Sequence, residues 1–401
     1  MTAASTEIPF LDVADPAFSI RSDEVREARE QSWYARTPYG IAVLRYEPVS
    51  RLIKDRRLVQ GSAAWPAHND VTGPWADWWM RCILNREGDD HARLRRLMNP
   101  AFSSRLIAAM VPSFQALAEE LIDGFAADGR CEFMSAFAGP YATRVTARLL
   151  GIPESEWHTL ADHGGTLGLA LSVEVREHLP KVEAALTGLY AYADDLIADR
   201  RVAPRDDFVT HLVEASEEQD RLSDEELRDN LVLLIFGGID TTRNQLGLGI
   251  DLFARYPDQW RLLGERPELA PAAVEEIMRV RPTATWVTRE ATEDFEFDGL
   301  PIAAGTTIHL FSESAGTDPE AYGDDTGFDI TVGGRARHFG FGGGRHYCLG
   351  HFIARGDMGE ALALLARRLP GLAHDGEPTF LPDSGNTGPV ALPIRFRPEQ
   401  A

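Results

Sequence analysis

At 401 residues, 44% hydrophobic and 25% charged, the chain has a globular composition and is long enough to bury a large core. Its formal net charge of -22 argues against nucleic acid as a partner. Its three cysteines, Cys82, Cys131 and Cys348, lie too far apart for a disulfide framework or a zinc cluster. With no basic-then-apolar leader and no run of about eighteen apolar residues, neither secretion nor a membrane span is expected, which leaves a soluble, cytoplasmic protein. No repeat or low-complexity linker divides the chain, so residues 1–401 are read as one domain.

A short, branched, apolar run over 41–46 and an amphipathic stretch over 47–54 predict a strand followed by a helix. Residues 56–85 read as irregular and hold Trp65, Trp75, Trp78 and Trp79, four of the eight tryptophans. A loop so rich in large aromatics either plugs core from outside or walls a ligand cavity. From Asp89 the pattern turns helical and sets His91 and Arg95 at i, i+4 on one face, a spacing that by itself describes a surface pair. Helices are predicted over 103–127, over 133–150 with a stop at Gly151-Ile152-Pro153, and over 180–201. Residues 163–178 are expected to form a mobile cover.

The longest periodic segment runs over 223–255 and opens on Ser223-Asp224-Glu225-Glu226, a capping box. Residues 231–236 are apolar on every side, so this helix is expected to cross the interior. Next comes Gly237-Gly238-Ile239-Asp240-Thr241-Thr242. Each glycine costs a helix about 1 kcal/mol relative to alanine, so a buried pair implies that something flat or bulky approaches the backbone. The plainer alternative is a kink with Asp240 capped or ion-paired. A following helix carries Glu276 and Arg279 at i, i+3, spacing for an ion pair. Alternation over 286–289, 295–297 and 302–310 predicts short strands, and residues 316–338 a long loop.

That loop leads to Phe341-Gly342-Gly343-Gly344-Arg345-His346-Tyr347-Cys348-Leu349-Gly350, which presents a cysteine ahead of an apolar helix over 349–369. The positive end of that helix favours thiolate over thiol and makes Cys348 a candidate iron ligand. A glycine-rich loop before a helix also cradles phosphate, but no Gly-Lys-Ser/Thr follows here. A short strand over 390–396 closes the chain.

Taken in order, these motifs resemble the bacterial-type cytochrome P450 superfamily, the haem-thiolate monooxygenases, over nearly the whole chain. The cysteine loop matches the family's Phe-Gly-x-Gly-x-His/Arg-x-Cys-x-Gly at Phe341, Gly342, Gly344, His346, Cys348 and Gly350. Gly237, Gly238, Asp240 and Thr241 match its Ala/Gly-Gly-x-Asp/Glu-Thr, and Glu276 and Arg279 match Glu-x-x-Arg. His91 and Arg95 match His-x-x-x-Arg, and Arg289 stands at the usual propionate arginine. The resemblance implies a mainly α fold with a small β subdomain and a long central helix crossing over haem b.

It further implies that Cys348 is the axial iron ligand and that His91, Arg95, Arg289 and His346 hold the propionates. Gly237 and Gly238 would leave room above the ring, Asp240 and Thr241 would supply protons during oxygen activation, and Glu276 with Arg279 would be a structural pair. Electrons would come from a ferredoxin and ferredoxin reductase to a monomer, docking at a basic patch of Arg93, Arg96 and Arg345. Substrate contacts are expected from Trp65, Trp78, Ile235, Gly238, Ala284, Trp286 and Asn386. The tryptophans point to an aromatic or indole-containing natural-product intermediate, oxidised by hydroxylation or C-C coupling.

Some positions depart from the family pattern. Val332 stands where an arginine usually completes the Glu-Arg-Arg network, with Arg335 or Arg337 as substitutes. Gly316-Thr317-Asp318-Pro319 lacks the arginine of Asn-Arg-Asp-Pro, and Asp357 replaces a glutamate. Two other classes fit parts of the pattern. A haem-thiolate gas or redox sensor has no use for Asp240 and Thr241, and a nucleotide-binding enzyme would bind no haem.

Overall fold

The computed structural model describes residues 7–102, 104–217, 222–323 and 326–398. Its helices are α1 (Asp23–Gln31), α2 (Tyr46–Leu52), α3 (Trp65–His68), α4 (Pro74–Arg81), α5 (Gly88–Met98), α6 (Ser104–Asp123), α7 (Gly139–Leu150) and α8 (Trp157–Gly168), followed by α9 (Val175–Val202), α10 (Phe208–Glu217), α11 (Asp224–Arg255), α12 (Pro257–Glu265), α13 (Ala270–Val280), α14 (Ser312–Gly316), α15 (Pro319–Tyr322) and α16 (His351–Arg368). Its strands are β1 (Tyr34–Thr37), β2 (Gly40–Val43), β3 (Leu58–Gln60), β4 (Arg130–Glu132), β5 (Trp286–Ala291) and β6 (Phe295–Phe297), then β7 (Leu300–Ile302), β8 (Thr307–Phe311), β9 (Ala373–His374), β10 (Thr379–Phe380), β11 (Pro389–Ala391) and β12 (Pro393–Arg395).

Helix α11 is the axis. Ser223 Oγ accepts from the Glu226 N–H at 3.1 Å and the Glu226 carboxylate accepts from the Ser223 N–H at 2.9 Å, closing the expected capping box. Leu231, Val232, Ile235, Ile239, Leu246 and Phe253 then enter the main core. Helices α7, α8 and α9 pack against α11, and α16 runs between α6, α12 and α13. The helical majority and small β portion are those expected.

The largest sheet has the order β1-β2-β8-β5-β3, with β2 and β8 parallel and the other pairs antiparallel. Alternation along β5 gives its two faces different partners. Trp286 packs with Phe18 and Phe311 under the N-terminal segment, while Val287 joins Ile308, Leu310 and Phe339 on the opposite side. Register pairs Arg289 with Gln60 on β3, which delivers the arginine beside the cysteine loop.

Two expectations change, for residues 56–85 and for the start of α16, and the segment expected as a cover takes defined secondary structure. Residues 56–85 are not an open aromatic loop: they fold into β3, a 3-10 turn, α3 and α4. Trp75, Trp78 and Trp79 recur at i, i+3, i+4 on α4 and are buried at 0%, 0% and 3% exposure, so helical spacing made them core. Residues 163–178 form the end of α8, a 3-10 turn and the start of α9. Helix α16 begins at His351, two residues after the expected 349, because Gly350 is its N-cap.

Asp357 is buried in the middle of α16. Its Oδ1 accepts from the Met358 N–H at 2.6 Å, while Oδ2 has no hydrogen-bond partner among the described residues. Burial pushes its carboxyl well above the usual carboxylate range. The folded chain therefore keeps this proton at pH values where the unfolded chain, with an ordinary aspartate pKa of about 4, has lost it. Stability is then lost as pH rises above that value toward the folded pKa. Asp357→Asn removes the effect. Urea midpoints are expected to fall less steeply in the variant between about pH 5 and 7.5, by up to about 1.4 kcal/mol per pH unit. Parallel curves for variant and wild type would contradict this.

Candidate active site

The cysteine loop closes on itself before reaching α16. The Gly342 N–H donates to the Phe339 carbonyl at 2.7 Å and the Cys348 N–H to the Phe341 carbonyl at 3.0 Å. Gly342 and Gly344 take left-handed φ of 69° and 66°. A Cβ on Gly344 would also stand 2.8 Å from the Ile53 carbonyl oxygen, so glycine is required there on both counts. Phe341 is buried under the Arg355 guanidinium, 4.5 Å from its ring centre. Cys348 is half-buried; burial pushes its thiol up, opposed by the Gly350 N–H donated to sulfur and by the positive Arg95 and Arg355. Gly350 has open space where a Cβ would stand.

Beside the loop the fold gathers four basic side chains from three places. His91 and Arg95 come from α5, Arg289 from β5, and His346 from the loop, with the His91 and His346 rings 4.2 Å apart between centres. Burial first, then the positive His346 and Arg95, pull His91 down to about 4. Arg95 donates to the Tyr347 carbonyl at 3.0 Å. Arg289 donates to Gln60 Oε1 at 2.6 Å, to the Thr288 carbonyl at 3.0 Å and to the Gly343 carbonyl at 3.2 Å. Desolvation lowers both guanidiniums, Arg289 to about 10.

One carboxylate serves this cluster among the described residues. Glu87 lies 2.9 Å from His346 Nε2 and 3.1 Å from Arg345, and accepts the Gln60 N–H at 2.6 Å. Although burial opposes it, these partners hold Glu87 at about 2. Arg95 and Arg289 are left bonded to neutral oxygens only. A buried and a half-buried guanidinium without a direct carboxylate among the described residues are a costly arrangement, and the donor set fits a guest carrying two carboxylates beside a sulfur ligand.

Across the segment 231–242 of α11, Leu233, Leu234, Gly237, Gly238 and Thr241 keep exposure while their neighbours are buried. Their spacing of three and four residues is one helix face. The two glycines do different things. Gly237 has open space where a Cβ would stand, whereas a Cβ on Gly238 would lie 2.7 Å from Thr146 Oγ1 on α7. Gly237 leaves room on the open face, and Gly238 lets α7 come close. The exposed Thr241 hydroxyl donates to the Gly237 carbonyl.

Asp240 points the other way, 3% exposed. Its Oδ2 accepts from Asn244 Nδ2 at 3.2 Å and from Asn386 Nδ2 at 2.9 Å. Burial raises its pKa, with Arg243, Asn386 and Asn244 pulling it back.

Glu276 and Arg279 make a bidentate buried pair at 2.8 and 2.6 Å. Arg279 also donates to the carbonyls of Gly316 at 2.7 Å and Gly327 at 2.6 Å, and Glu276 accepts the Asp329 N–H at 3.0 Å. The arginine missing at Val332 is replaced by Arg335, 3.6 Å from Glu276 Oε2, whereas Arg337 lies over the Tyr347 ring. The expected basic patch is partly neutralised, since Arg93 bonds Glu226 and Arg345 bonds Glu87.

Several expected substrate contacts lie elsewhere. Trp78 is core, its indole N–H donated to the Asp229 carbonyl at 3.1 Å. Trp286 stacks on Phe311 on the sheet face away from Val287. Ile235 is fully buried, one helical step off the open face. Asn386 is buried against Asp240. Trp65 and Ala284 remain half-buried, Trp65 with its indole N–H donated to the Ala170 carbonyl at 2.9 Å. Glu87 and Asn244 were not foreseen; Glu87 had a signal in its place one residue ahead of α5, four before His91.

A mainly helical fold with a cysteine loop capping one helix, a desolvated cation cluster and a long helix opened by glycine defines a haem-binding oxidoreductase. Residues 173–379 match the family model Cytochrome P450. The chain is 40% identical to luteothin monooxygenase of Streptomyces thioluteus, over 98% of this chain and 99% of that protein. It is 33% identical to mycinamicin IV hydroxylase/epoxidase of Micromonospora griseorubida, over 98% and 100%. Among solved structures, the cytochrome P450 enzyme CxnD, for C-S bond formation in chuangxinmycin biosynthesis, superposes with a TM-score of 0.86 at 29% identity, covering 99% of this chain and 100% of that one. The chain belongs to the cytochrome P450 family and is a monooxygenase-type enzyme with haem iron as cofactor, served by small-molecule substrates and redox partners. No helix among the described residues is long and apolar enough to cross a membrane.

Arg279→Leu removes the bidentate partner of buried Glu276, leaving it the more distant Arg335, and is expected to cost about 3–5 kcal/mol, read as a lower urea midpoint. Arg335→Gln, which leaves the bidentate Arg279 pair in place, is expected to cost less than Arg279→Leu. Equal losses for the two would contradict this division of labour.

Proposed function

We propose that the chain works as a single cytochrome P450 domain, monomeric and cytoplasmic, that binds haem b and oxidises an uncharged aromatic natural-product intermediate with electrons from a ferredoxin and its reductase. The observation that carries this reading is the pair of desolvated guanidiniums, Arg95 and Arg289, set beside Cys348 with no direct carboxylate partner among the described residues. Together with His91 and His346 they would hold the two propionates, and Cys348 would ligate the iron. Haem iron bound by thiolate supplies dioxygen activation and favours O-O cleavage.

The chain's own residues handle substrate and protons. Leu233, Leu234 and Gly237 give the open face of α11 an apolar, roomy surface, and Ala284 and Val287 are half-buried on the strand side. That lining is aliphatic and small, so the substrate reading now rests on apolarity and room, with Trp65 the aromatic candidate that keeps exposure. Insertion of oxygen by hydroxylation is favoured over C-C coupling by the names of the relatives, a monooxygenase and a hydroxylase/epoxidase.

Asp240, whose pKa is raised by burial, would act as the acid, and the adjacent Thr241 hydroxyl would pass the proton on through water from the open face. Thr241→Ala is expected to keep haem and to divert reducing equivalents into hydrogen peroxide, cutting the product formed per electron by about 10-fold or more. Unchanged coupling would remove Thr241 from the relay. Titration of the haem absorption band with aromatic natural-product intermediates, beginning with the substrate of luteothin monooxygenase, tests the substrate class. A shift is expected, and uniform lack of response would contradict the class.

A further inference from the structure

Asp240 is held from two sides by amides. Asn244 lies one turn along on α11, whereas Asn386 reaches it from a turn near the C-terminus, 146 residues away in sequence. Asn386 is itself fixed: its Oδ1 lies 2.9 Å from the Thr283 hydroxyl, and the Thr387 N–H donates to the Thr283 carbonyl at 2.9 Å. Thr283 is tied back to α11 through its N–H, donated to Gln245 Oε1 at 2.8 Å. With its carbonyl oxygen facing a hydroxyl, the Asn386 amide turns its N–H group to the acid.

The same turn touches the segment between α8 and α9. Ser384 donates its hydroxyl to the Leu171 carbonyl at 2.7 Å, in the 3-10 turn between α8 and α9. Asp383 anchors the turn on its other side, accepting from the Ile20 N–H at 3.0 Å and from Arg21. Helix α8 presses on Asp240 as well, since a Cβ on Gly168 would lie 2.7 Å from Asp240 Oδ1.

We propose that Asn386 is the positioning residue for Asp240, and that residues 381–388 link the placement of this acid to the segment between α8 and α9. Amides suit the task. A lysine or arginine at hydrogen-bond distance would fix Asp240 as an anion, whereas an amide steadies it and leaves it able to hold and release a proton. Arg243 on α11 is the charged group acting on Asp240 among the described residues; α8 presents Gly164, Gly165 and Gly168 to α11, α7 presents Thr146, and the C-terminal turn presents Asn386. The inference builds on Asp240 as the acid of the proposed reaction, and its test uses no turnover, so the two fail separately.

The test is infrared difference spectroscopy of the haem-loaded full chain across pH, with Asp240→Asn used to assign the carboxyl band of Asp240. Asn386→Ala removes a donor to the carboxylate. The band is expected to move to higher frequency and its titration midpoint upward by about 1 pH unit. Thr283→Val, nearly isosteric, frees the amide and is expected to move both in the same direction by less, which decides the matter should Asn386→Ala not fold. Ser384→Ala is expected to give a smaller shift of the same band through the turn. A band and midpoint unchanged by both Asn386→Ala and Thr283→Val would overturn the positioning role. A Ser384→Ala band identical to wild type would overturn the link to the α8–α9 segment.

Discussion

The structure depends on an electrostatic debt at the cysteine loop. Arg289 is buried and Arg95 half-buried beside His91 and His346, and of these four only His346 meets the Glu87 carboxylate directly. Burying charge without a counter-charge costs several kcal/mol per ion, so the arrangement makes physical sense around an anionic guest. The surrounding fold serves this placement. Register sets Arg289 opposite Gln60, helix α5 offers His91 and Arg95 from one face, and left-handed glycines shape the loop that carries Cys348 beside Arg95. Behind the loop, Glu276, Arg279 and Arg335 form the buried brace, which also ties down the carbonyls of residues 316 and 327.

The opposite wall follows from a division of labour inside α11. Gly237 leaves room on the open face, Gly238 admits α7, and the Thr241 hydroxyl spans back to the Gly237 carbonyl. Asp240, the preceding residue in the chain, is turned through the helical step of about 100° into a buried position between α8 and the C-terminal turn. Acid and alcohol are thus adjacent in sequence and separated by environment. The acid is shielded from bulk water, while the alcohol faces the space where substrate is expected.

Features written in contiguous sequence were legible: the capping box at Ser223, the Glu276–Arg279 pair, the cysteine loop and the His91–Arg95 face all depend on spacings of four residues or fewer. What was not legible depends on contacts between distant segments. The Trp-rich stretch read as loop because Pro66, Gly73 and Pro74 interrupt it, yet Pro74 stands at the first position of α4, where proline is well tolerated. Trp78 packs against α11 once its helical spacing with Trp75 and Trp79 is realised, and Trp286 is buried against Phe311, a contact between distant segments. Asn386 was placed in the right region and given the wrong partner. Only the fold shows that a residue so late in the chain meets Asp240, and that Arg335 rather than Arg337 reaches Glu276.

The central claim is that Cys348 ligates haem iron in the space these charges surround. The most direct measurement is the absorption spectrum of the reduced, carbon monoxide-bound holoenzyme, compared between wild type and Cys348→Ala. The account predicts a thiolate-type band in the wild type that is lost in the variant. A purified protein that takes up no haem, or a variant that keeps the thiolate-type band, would contradict it.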